Sequence, residues 1–264
     1  MSLRTLLLLA LLASALAAVV ELPAAWLAHS INDLCATRCR LSNTEGTLWR
    51  GSSDIYFRDG LSGPWQLAQR LSWRLEGSAL ARGRLAIALD QGNVRTGSAA
   101  VRLEVGARGV ELAVRQFSLP AGLVLSNLGR GIPASGWGGQ LYVEDSRASS
   151  DFADFAGGWQ GKGVLRWRAA RTALLENIVL GDYRLDWTRA SREALHGTLS
   201  STDAVLDLQG EISVAGDGRL RFSGSAEAAR EQRASLEKYL RAVGSPSPGV
   251  PGKYLLNLPN SQRF

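Results

Sequence analysis

Residues 70–75, Arg-Leu-Ser-Trp-Arg-Leu, carry an apolar side chain at every second position. Successive side chains of a β-strand point to opposite faces of a sheet, so this period of two predicts a strand with one apolar face. The same alternation recurs at residues 84–89, 101–105 and 110–114 and in several later segments. We therefore predict a mainly β domain over residues 41–264, built from twisted antiparallel strands that form a curved sheet or a flattened sandwich.

One helix is predicted near the C-terminus, at residues 226–243. This segment is rich in helix-forming residues and places Leu236, Leu240 and Val243 on one side. Gly244 follows at the position of a C-terminal cap. We expect this helix to pack against the apolar face of the sheet.

Glycine-rich segments mark turns and a division of the domain. Gly216-Asp217-Gly218 separates two alternating segments and predicts a hairpin turn, and residues 254–258 follow a Pro/Ser/Gly-rich linker as a last strand. A tryptophan followed ten residues later by Gly-x-Leu occurs at Trp73 and again at Trp187. We interpret this pattern as two faint half-repeats, divided at residues 129–139.

An apolar run at residues 5–20, preceded by Arg4, indicates that the chain enters or crosses a membrane. Two interpretations are open: a signal peptide cleaved after Ala15-Leu16-Ala17, or a retained membrane anchor over residues 1–28 with the rest of the chain outside. The apolar character continues past the cleavage site, which favours the anchor. Pro23 disfavours helix at the residue before it and predicts a kink or a new helix start.

The two cysteines, Cys35 and Cys39, lie in a junction over residues 29–40. In an exported protein a short-loop disulfide is the expected state of such a pair. Three intervening residues do not match a redox Cys-x-x-Cys motif, and a zinc site would need more ligands than the nearby His29. We therefore predict a structural disulfide that stiffens the junction, and no metal site.

The composition favours neither an enzyme nor a nucleic-acid-binding protein. The chain carries 30 basic and 24 acidic residues, and its arginines are scattered along alternating segments instead of forming a basic cluster. His29 and His196 are the only histidines, and the sequence contains no nucleophile elbow or phosphate-binding loop. We predict no catalytic residues, no cofactor and no nucleic-acid partner.

Several tryptophans lie in the alternating segments, which predicts either a packed core or an apolar groove on one face of the sheet. The residues predicted for this core or groove are Trp73, Trp167, Leu185, Trp187, Leu208 and Phe222. Trp137 and Trp159 instead lie in glycine-rich segments, so we predict them as surface contacts.

Several motifs together resemble one known family. The motifs are Leu22-Pro23-Ala24-Ala25-Trp26-Leu27, Glu45-Gly46-Thr47-Leu48-Trp49-Arg50-Gly51, Gly138-Gly139-Gln140-Leu141 and Leu180-Gly181-Asp182-Tyr183. Over nearly its whole length the chain resembles type II secretion system protein N. The cysteine pair is not part of that family pattern.

The resemblance implies a single-pass inner-membrane protein whose β domain, residues 41–264, lies in the periplasm. Such a protein would be a non-enzymatic accessory to the machinery that exports folded proteins across the outer membrane, with other secretion components as partners. The β domain is also similar to the AsmA-like group of curved sheets. This second similarity implies an alternative, a periplasmic lipid-binding or lipid-guiding module that holds acyl chains on its apolar face.

Overall fold

A computed structural model gives the fold of the protein. It describes residues 21–35, 39–58, 63–92, 100–125, 136–154, 158–172, 175, 178–216 and 219–258. The chain divides into two compact units, Met1–Ala99 and Ala100–Phe264. The described part of each unit is an antiparallel β structure with few helices, so the predicted mainly β class is confirmed.

In the described part of the N-terminal unit, four strands pair antiparallel with their neighbours in chain order. The elements are α1 (Ala25–Cys35), β1 (Cys39–Gly46), β2 (Arg50–Arg58), β3 (Trp65–Leu75), α2 (Gly77–Leu80) and β4 (Leu85–Gln91). The alternating residues 70–75 lie in β3, and Trp73 from the apolar side of that strand is buried.

The C-terminal unit is built around a long antiparallel sheet. Its elements are β5 (Val101–Val105), β6 (Gly109–Pro120), α3 (Ala121–Leu125), β7 (Trp137–Asp151), β8 (Gln160–Thr172), β9 (Val179–Arg189), β10 (Leu195–Thr202), β11 (Leu206–Val214), β12 (Leu220–Ala228), α4 (Arg233–Val243), β13 (Ser245–Pro246) and β14 (Lys253–Leu258). Among the described residues, β5 to β12 are neighbours in chain order, followed by β14 and then β13. Of the two predicted forms, this unit therefore has the open sheet.

The register of this sheet separates an apolar face from a polar face. Leu165, Leu185 and Leu199 are opposite one another on β8, β9 and β10, so their side chains share one face. Arg166 and Arg184, the next pair along β8 and β9, share the other face. The two faces follow directly from the period of two in the sequence.

The apolar face is packed most tightly beneath α4. Leu236 and Leu240 of this helix are only 1% and 5% exposed, and they belong to one buried cluster with Phe222 of β12 and Tyr254 of β14. Ala226 of β12 is fully buried in the same cluster. Its small side chain leaves room for the helix to approach the sheet.

The helix predicted at residues 226–243 is correct only in its C-terminal part. Residues 226–228 lie in β12, where they pair with β11 and β14, and a 3-10 turn at Arg230–Gln232 precedes α4. These residues favour a helix, but that intrinsic preference is small in energy and is outweighed by pairing with two strands. The helix ends before Gly244, as predicted, and the Gly244 amide donates to the carbonyl of Leu240 over 2.9 Å.

The antiparallel pairing of β11 with β12 and the predicted last strand are both confirmed, while Asp217 and Gly218 of the predicted turn lie outside the described residues. Val214 and Leu220 are opposite one another at the ends of β11 and β12. The amide of Ala215 donates to the carbonyl of Arg219 over 2.9 Å, which closes the connection. The last predicted strand corresponds to β14.

The division predicted at residues 129–139 is wrong. The two compact units divide between Ala99 and Ala100, earlier in the chain. The strands before and after the glycine-rich stretch, β6 and β7, pair from Gly109–Asp151 to Pro120–Gln140. This pairing places both sides of the stretch in one sheet.

The predicted membrane run at residues 5–20 lies outside the described residues. A new helix, α1, begins at Ala25, as Pro23 predicted. Within the described part of the chain, no helix has the length and apolar character that crossing a membrane requires.

Candidate functional site

The motif at residues 45–51 forms the turn between β1 and β2. Gly46 has a φ of 91°, a left-handed conformation that favours glycine. The amide of Thr47 donates to the carbonyl of Arg50 over 2.9 Å and closes the turn. The Thr47 hydroxyl accepts a further hydrogen bond from the Arg50 amide over 3.3 Å. The glycine and the threonine of the motif thus have direct roles in this turn.

The same turn fixes residues 22–24, which follow the apolar run at residues 5–20. The amide of Leu48 donates to the carbonyl of Leu22 over 2.8 Å, and the amide of Ala24 donates to the carbonyl of Gly46 over 3.1 Å. An antiparallel bridge lies between these contacts. Residues 22–24 therefore pair with the turn as a short strand would, and the backbone of the turn sets their position.

Trp73 of β3 holds the turn from the side of the sheet. Its indole Nε1 donates to the carbonyl of Leu48 over 3.1 Å. Its ring lies against Gly51, where an added Cβ atom would be only 2.5 Å from the ring. We call residues 46–51 together with Trp73 the motif turn, because they pack as one unit.

Helix α1 contacts β1 through the Asn32 side chain, which forms hydrogen bonds with the β1 backbone as a neighbouring strand would. The Asn32 side-chain amide donates to the carbonyl of Leu41 over 3.1 Å, and the Leu41 amide donates to Asn32 Oδ1 over 2.6 Å. A free strand edge invites pairing with another chain, and this contact satisfies part of the β1 edge. Cys39, at the start of β1, is disulfide-bonded, and Cys35 is the only other cysteine of the chain.

The residues predicted for an apolar core or groove lie at different depths. Trp73 and Phe222 are buried. Trp167 and Leu208 are partly buried and pack against the cluster beneath α4. Leu185 and Trp187 are half-buried. Both lie on the apolar face of β9, where Leu185 is opposite Leu165 and Leu199 and Trp187 is opposite Gly163 and Gly197. Within the C-terminal unit, the predicted residues are therefore core beneath α4 and partly open on β9.

The two tryptophans predicted as surface contacts each rest on another tryptophan. The ring centroids of Trp137 and Trp167 are 5.8 Å apart, and those of Trp159 and Trp187 are 6.1 Å apart. The guanidinium of Arg189 lies 4.1 Å from the Trp159 ring. Trp137 and Trp159 are both half-buried, so each keeps part of its surface accessible.

Replacing Tyr183 with phenylalanine is expected to lower the free energy of unfolding by about 1–2 kcal/mol. The buried Tyr183 hydroxyl donates to the carbonyl of Leu206 over 2.8 Å, and phenylalanine would leave this carbonyl without that partner. Burial, followed by the nearby charge of Asp207, raises the pKa of Tyr183 well above its ordinary value. Urea unfolding of both proteins measures the difference.

The raised pKa also predicts how the free energy of unfolding changes in alkaline solution. The folded state keeps the Tyr183 proton at a pH where the unfolded chain has lost it, above about pH 10. The stabilisation from this group is therefore complete below that pH and declines as the pH rises. The Tyr183→Phe variant should lack this part of the decline. Identical urea midpoints for both proteins from neutral pH to about pH 11 would contradict the assignment.

Ion pairs on the polar face join side chains of neighbouring strands in one case and of the same strand in another. Arg166 of β8 lies 3.1 Å from Glu144 of β7, and Arg184 of β9 lies 2.6 Å from Asp186 on the same strand. The hydrogen bond from Arg184 lowers the pKa of Asp186. These groups are at least partly exposed, so each pair contributes little to stability.

A continuous trough crosses the polar face of the C-terminal unit. One groove of about 640 Å³ lies over β7 to β12, and a second of about 760 Å³ lies over β5 to β10. Lys162, Thr188 and His196 line both grooves, so the two grooves join there. In the described part of the chain, no group of three or more His, Cys, Asp or Glu residues could hold a metal ion.

The trough is not apparent from the sequence. The basic residues are scattered along the alternating segments, and Lys162 and His196 are far apart in the sequence. In the folded sheet, Thr188 of β9 is opposite Lys162 on one side and His196 on the other, so the register brings the two residues close together. Only the pairing of the strands could have revealed the trough, and a single sequence does not specify that register.

The fold and these surfaces define a β-rich protein with a firmly held N-terminal segment and an open trough. A family model described as type II secretion system (T2SS), protein N, matches residues 37–257, which is most of the chain. The chain therefore belongs to the T2SS protein N family and is a component of type II secretion. A search of curated proteins and a search of solved structures found no match.

Proposed function

We propose that the chain is a non-enzymatic envelope protein that assists the export of folded proteins through contacts with other secretion components. In this proposal residues 1–28 anchor it in the inner membrane, and residues 41–264 lie in the periplasm. The observation that carries the proposal is the family match over residues 37–257. The accessible surfaces of Trp137 and Trp159 are candidate contacts for those partners.

The motif turn supports a role in which the position of the membrane anchor matters. Residues 22–24, which follow the apolar run at residues 5–20, are hydrogen-bonded to Gly46 and Leu48 instead of forming a flexible linker. A shift of the anchor would therefore be transmitted directly to the N-terminal unit. A disulfide between Cys35 and Cys39 would further stiffen the junction between anchor and sheet.

Photo-cross-linking in living cells tests the proposed function. A photoreactive phenylalanine analogue replaces Trp137 or Trp159, the two candidate contacts, each of which is half-buried. We expect adducts that mass spectrometry identifies as components of the secretion machinery. The unirradiated culture is the control. A set of adducts from both positions that contains no secretion component would contradict the proposal.

Lipid binding is the second candidate function, and one observation favours it. Helix α4 contacts β12, β13 and β14. Farther along the apolar face, Leu103 and Leu185 are half-buried and Leu112 is 37% exposed. This part of the face offers apolar surface to an acyl chain. Native mass spectrometry of the full chain should show bound lipid in this case, and a lipid-free spectrum would contradict it.

A further inference from the structure

One row of side chains crosses the polar face from β7 to β12 at right angles to the strands. Each member is directly opposite the next, so all six share the same face. The members of this row, which we call the basic row, are Arg147, Lys162, Thr188, His196, Ser213 and Arg221. It contains three permanent positive charges, a histidine and two hydroxyl groups, and no acidic residue.

The positive charges of the basic row are available to a partner. Arg147, Lys162 and Arg221 are exposed, and within the described part of the chain none of them forms an ion pair. The next basic residues on the same face behave differently, because Arg166 and Arg184 are paired with carboxylates of the sheet. Carboxylates of the sheet therefore neutralise Arg166 and Arg184, while the positive charges of the basic row are left for a partner.

The basic row forms the floor of the trough, and carboxylates lie beside it. Members of the row line both grooves. The acidic residues that line the grooves are Glu104, Glu111, Asp145, Asp186, Glu193 and Glu211, of which Glu104 and Asp186 are paired with Arg102 and Arg184. A narrow positive floor between negative flanks favours a single chain with spaced negative charges. A broad anionic surface, such as a membrane, would also meet the flanking carboxylates and be repelled.

The spacing of the charges indicates the conformation of the bound chain. Lys162, His196 and Arg221 lie on β8, β10 and β12, so successive members are two strand spacings apart, or about 9.6 Å. A polyproline II helix rises about 3.1 Å per residue and has three residues per turn, so it repeats every ~9.3 Å. An acidic residue at every third position of such a segment would meet each of the three basic groups in turn.

We propose that the trough binds an acidic, extended segment of a partner protein, with its carboxylates on the basic row. The inference deepens the proposed function and rests on it, because it names the surface through which a secretion component would be bound. Complementary charge would speed the encounter and select partners by their charge. Ordinary salt should weaken the interaction, since exposed charges are screened over about 8 Å at physiological ionic strength.

A peptide-binding measurement tests the trough directly. The full chain in nonionic detergent is titrated into a fluorescent peptide of repeated Glu-Pro-Pro, with repeated Lys-Pro-Pro as the control peptide. The test variant combines Lys162→Glu with Arg221→Glu. The matched control combines Lys238→Glu with Arg108→Glu, which makes the same change of charge at two exposed positions outside the trough.

We expect the test variant to bind the acidic peptide at least about tenfold more weakly than the natural chain, the effect of losing two charge contacts. The control variant should change the affinity less than about twofold, as expected for distant exposed charges. Equal affinity of the two variants, or equal binding of both peptides, would overturn the proposal. Displacement of the peptide by phosphatidylglycerol vesicles would also overturn it, because the trough would then select a membrane surface.

Export in a deletion strain separates this inference from the proposed function. The strain is complemented with the test variant or with the control variant, after far-ultraviolet circular dichroism shows that both fold. Loss of export with the test variant alone supports the trough. If both variants restore export, the inference fails while the proposed function stands. If the deletion has no effect on export, the proposed function fails.

Discussion

Replacing Leu236 with alanine is expected to lower the free energy of unfolding of the C-terminal unit by about 2–5 kcal/mol. Leu236 is 1% exposed and lies at the centre of the cluster that joins α4 to β12 and β14. The change removes buried methyl and methylene groups and leaves a cavity that the sheet cannot fully close. Urea unfolding followed by tryptophan fluorescence measures the loss, since Trp167 packs against the same cluster.

The control for this prediction is Val243→Ala in the same helix. Val243 is 47% exposed, so its truncation removes little buried surface, and alanine is the better helix former. We expect a change of less than about 0.5 kcal/mol. Equal destabilisation by both variants would contradict the packing of α4 on the sheet through Leu236.

Replacing Gly51 with alanine is expected to lower the free energy of unfolding by about 1–3 kcal/mol through overpacking. The added Cβ would lie 2.5 Å from the ring of Trp73 and 2.5 Å from the carbonyl oxygen of Glu45. Real side chains do not approach so closely, so the ring must move. Because the Trp73 indole also holds Leu48, that movement would loosen the motif turn. Unfolding by urea and limited proteolysis near residues 22–24 both report this change.

Gly77→Ala is the matched control in the same unit. Gly77 begins the short helix α2, and an added Cβ would meet no atom within 4 Å. Alanine there should leave stability unchanged or raise it by about 0.4–1 kcal/mol, because it restricts the unfolded chain. Similar stability of the Gly51 and Gly77 variants would show that the Trp73 ring does not need glycine at position 51.

The strands were predictable because alternation is a local property of the sequence. Residues 70–75 fall in β3, and residues 110–114 fall in β6. The C-terminal helix was only partly predictable. Residues 226–228 favour a helix locally, yet pairing with β11 and β14 places them in a strand. Local preference is weak compared with such tertiary pairing, and the partner strands are distant in sequence.

The candidate site was less predictable than the strands, for two physical reasons. The motif at residues 45–51 was recognised as a pattern, but its contacts with residues 22–24 and with Trp73 depend on the folded turn. The basic row joins residues from six strands, and any one-residue slip of register would turn a strand's side chains to the other face. Neither arrangement is encoded in a short stretch of sequence.

The export of secreted proteins by a clean deletion strain tests the central claim most directly. The strain is compared with the same strain carrying the natural gene on a plasmid, and secreted proteins are measured in the medium and in the periplasm. We predict that secreted proteins are retained in the periplasm of the deletion strain, with an intact outer membrane, and that the plasmid restores their export. Normal export by the deletion strain, together with a detergent-sensitive envelope, would contradict the claim and favour the lipid-binding alternative.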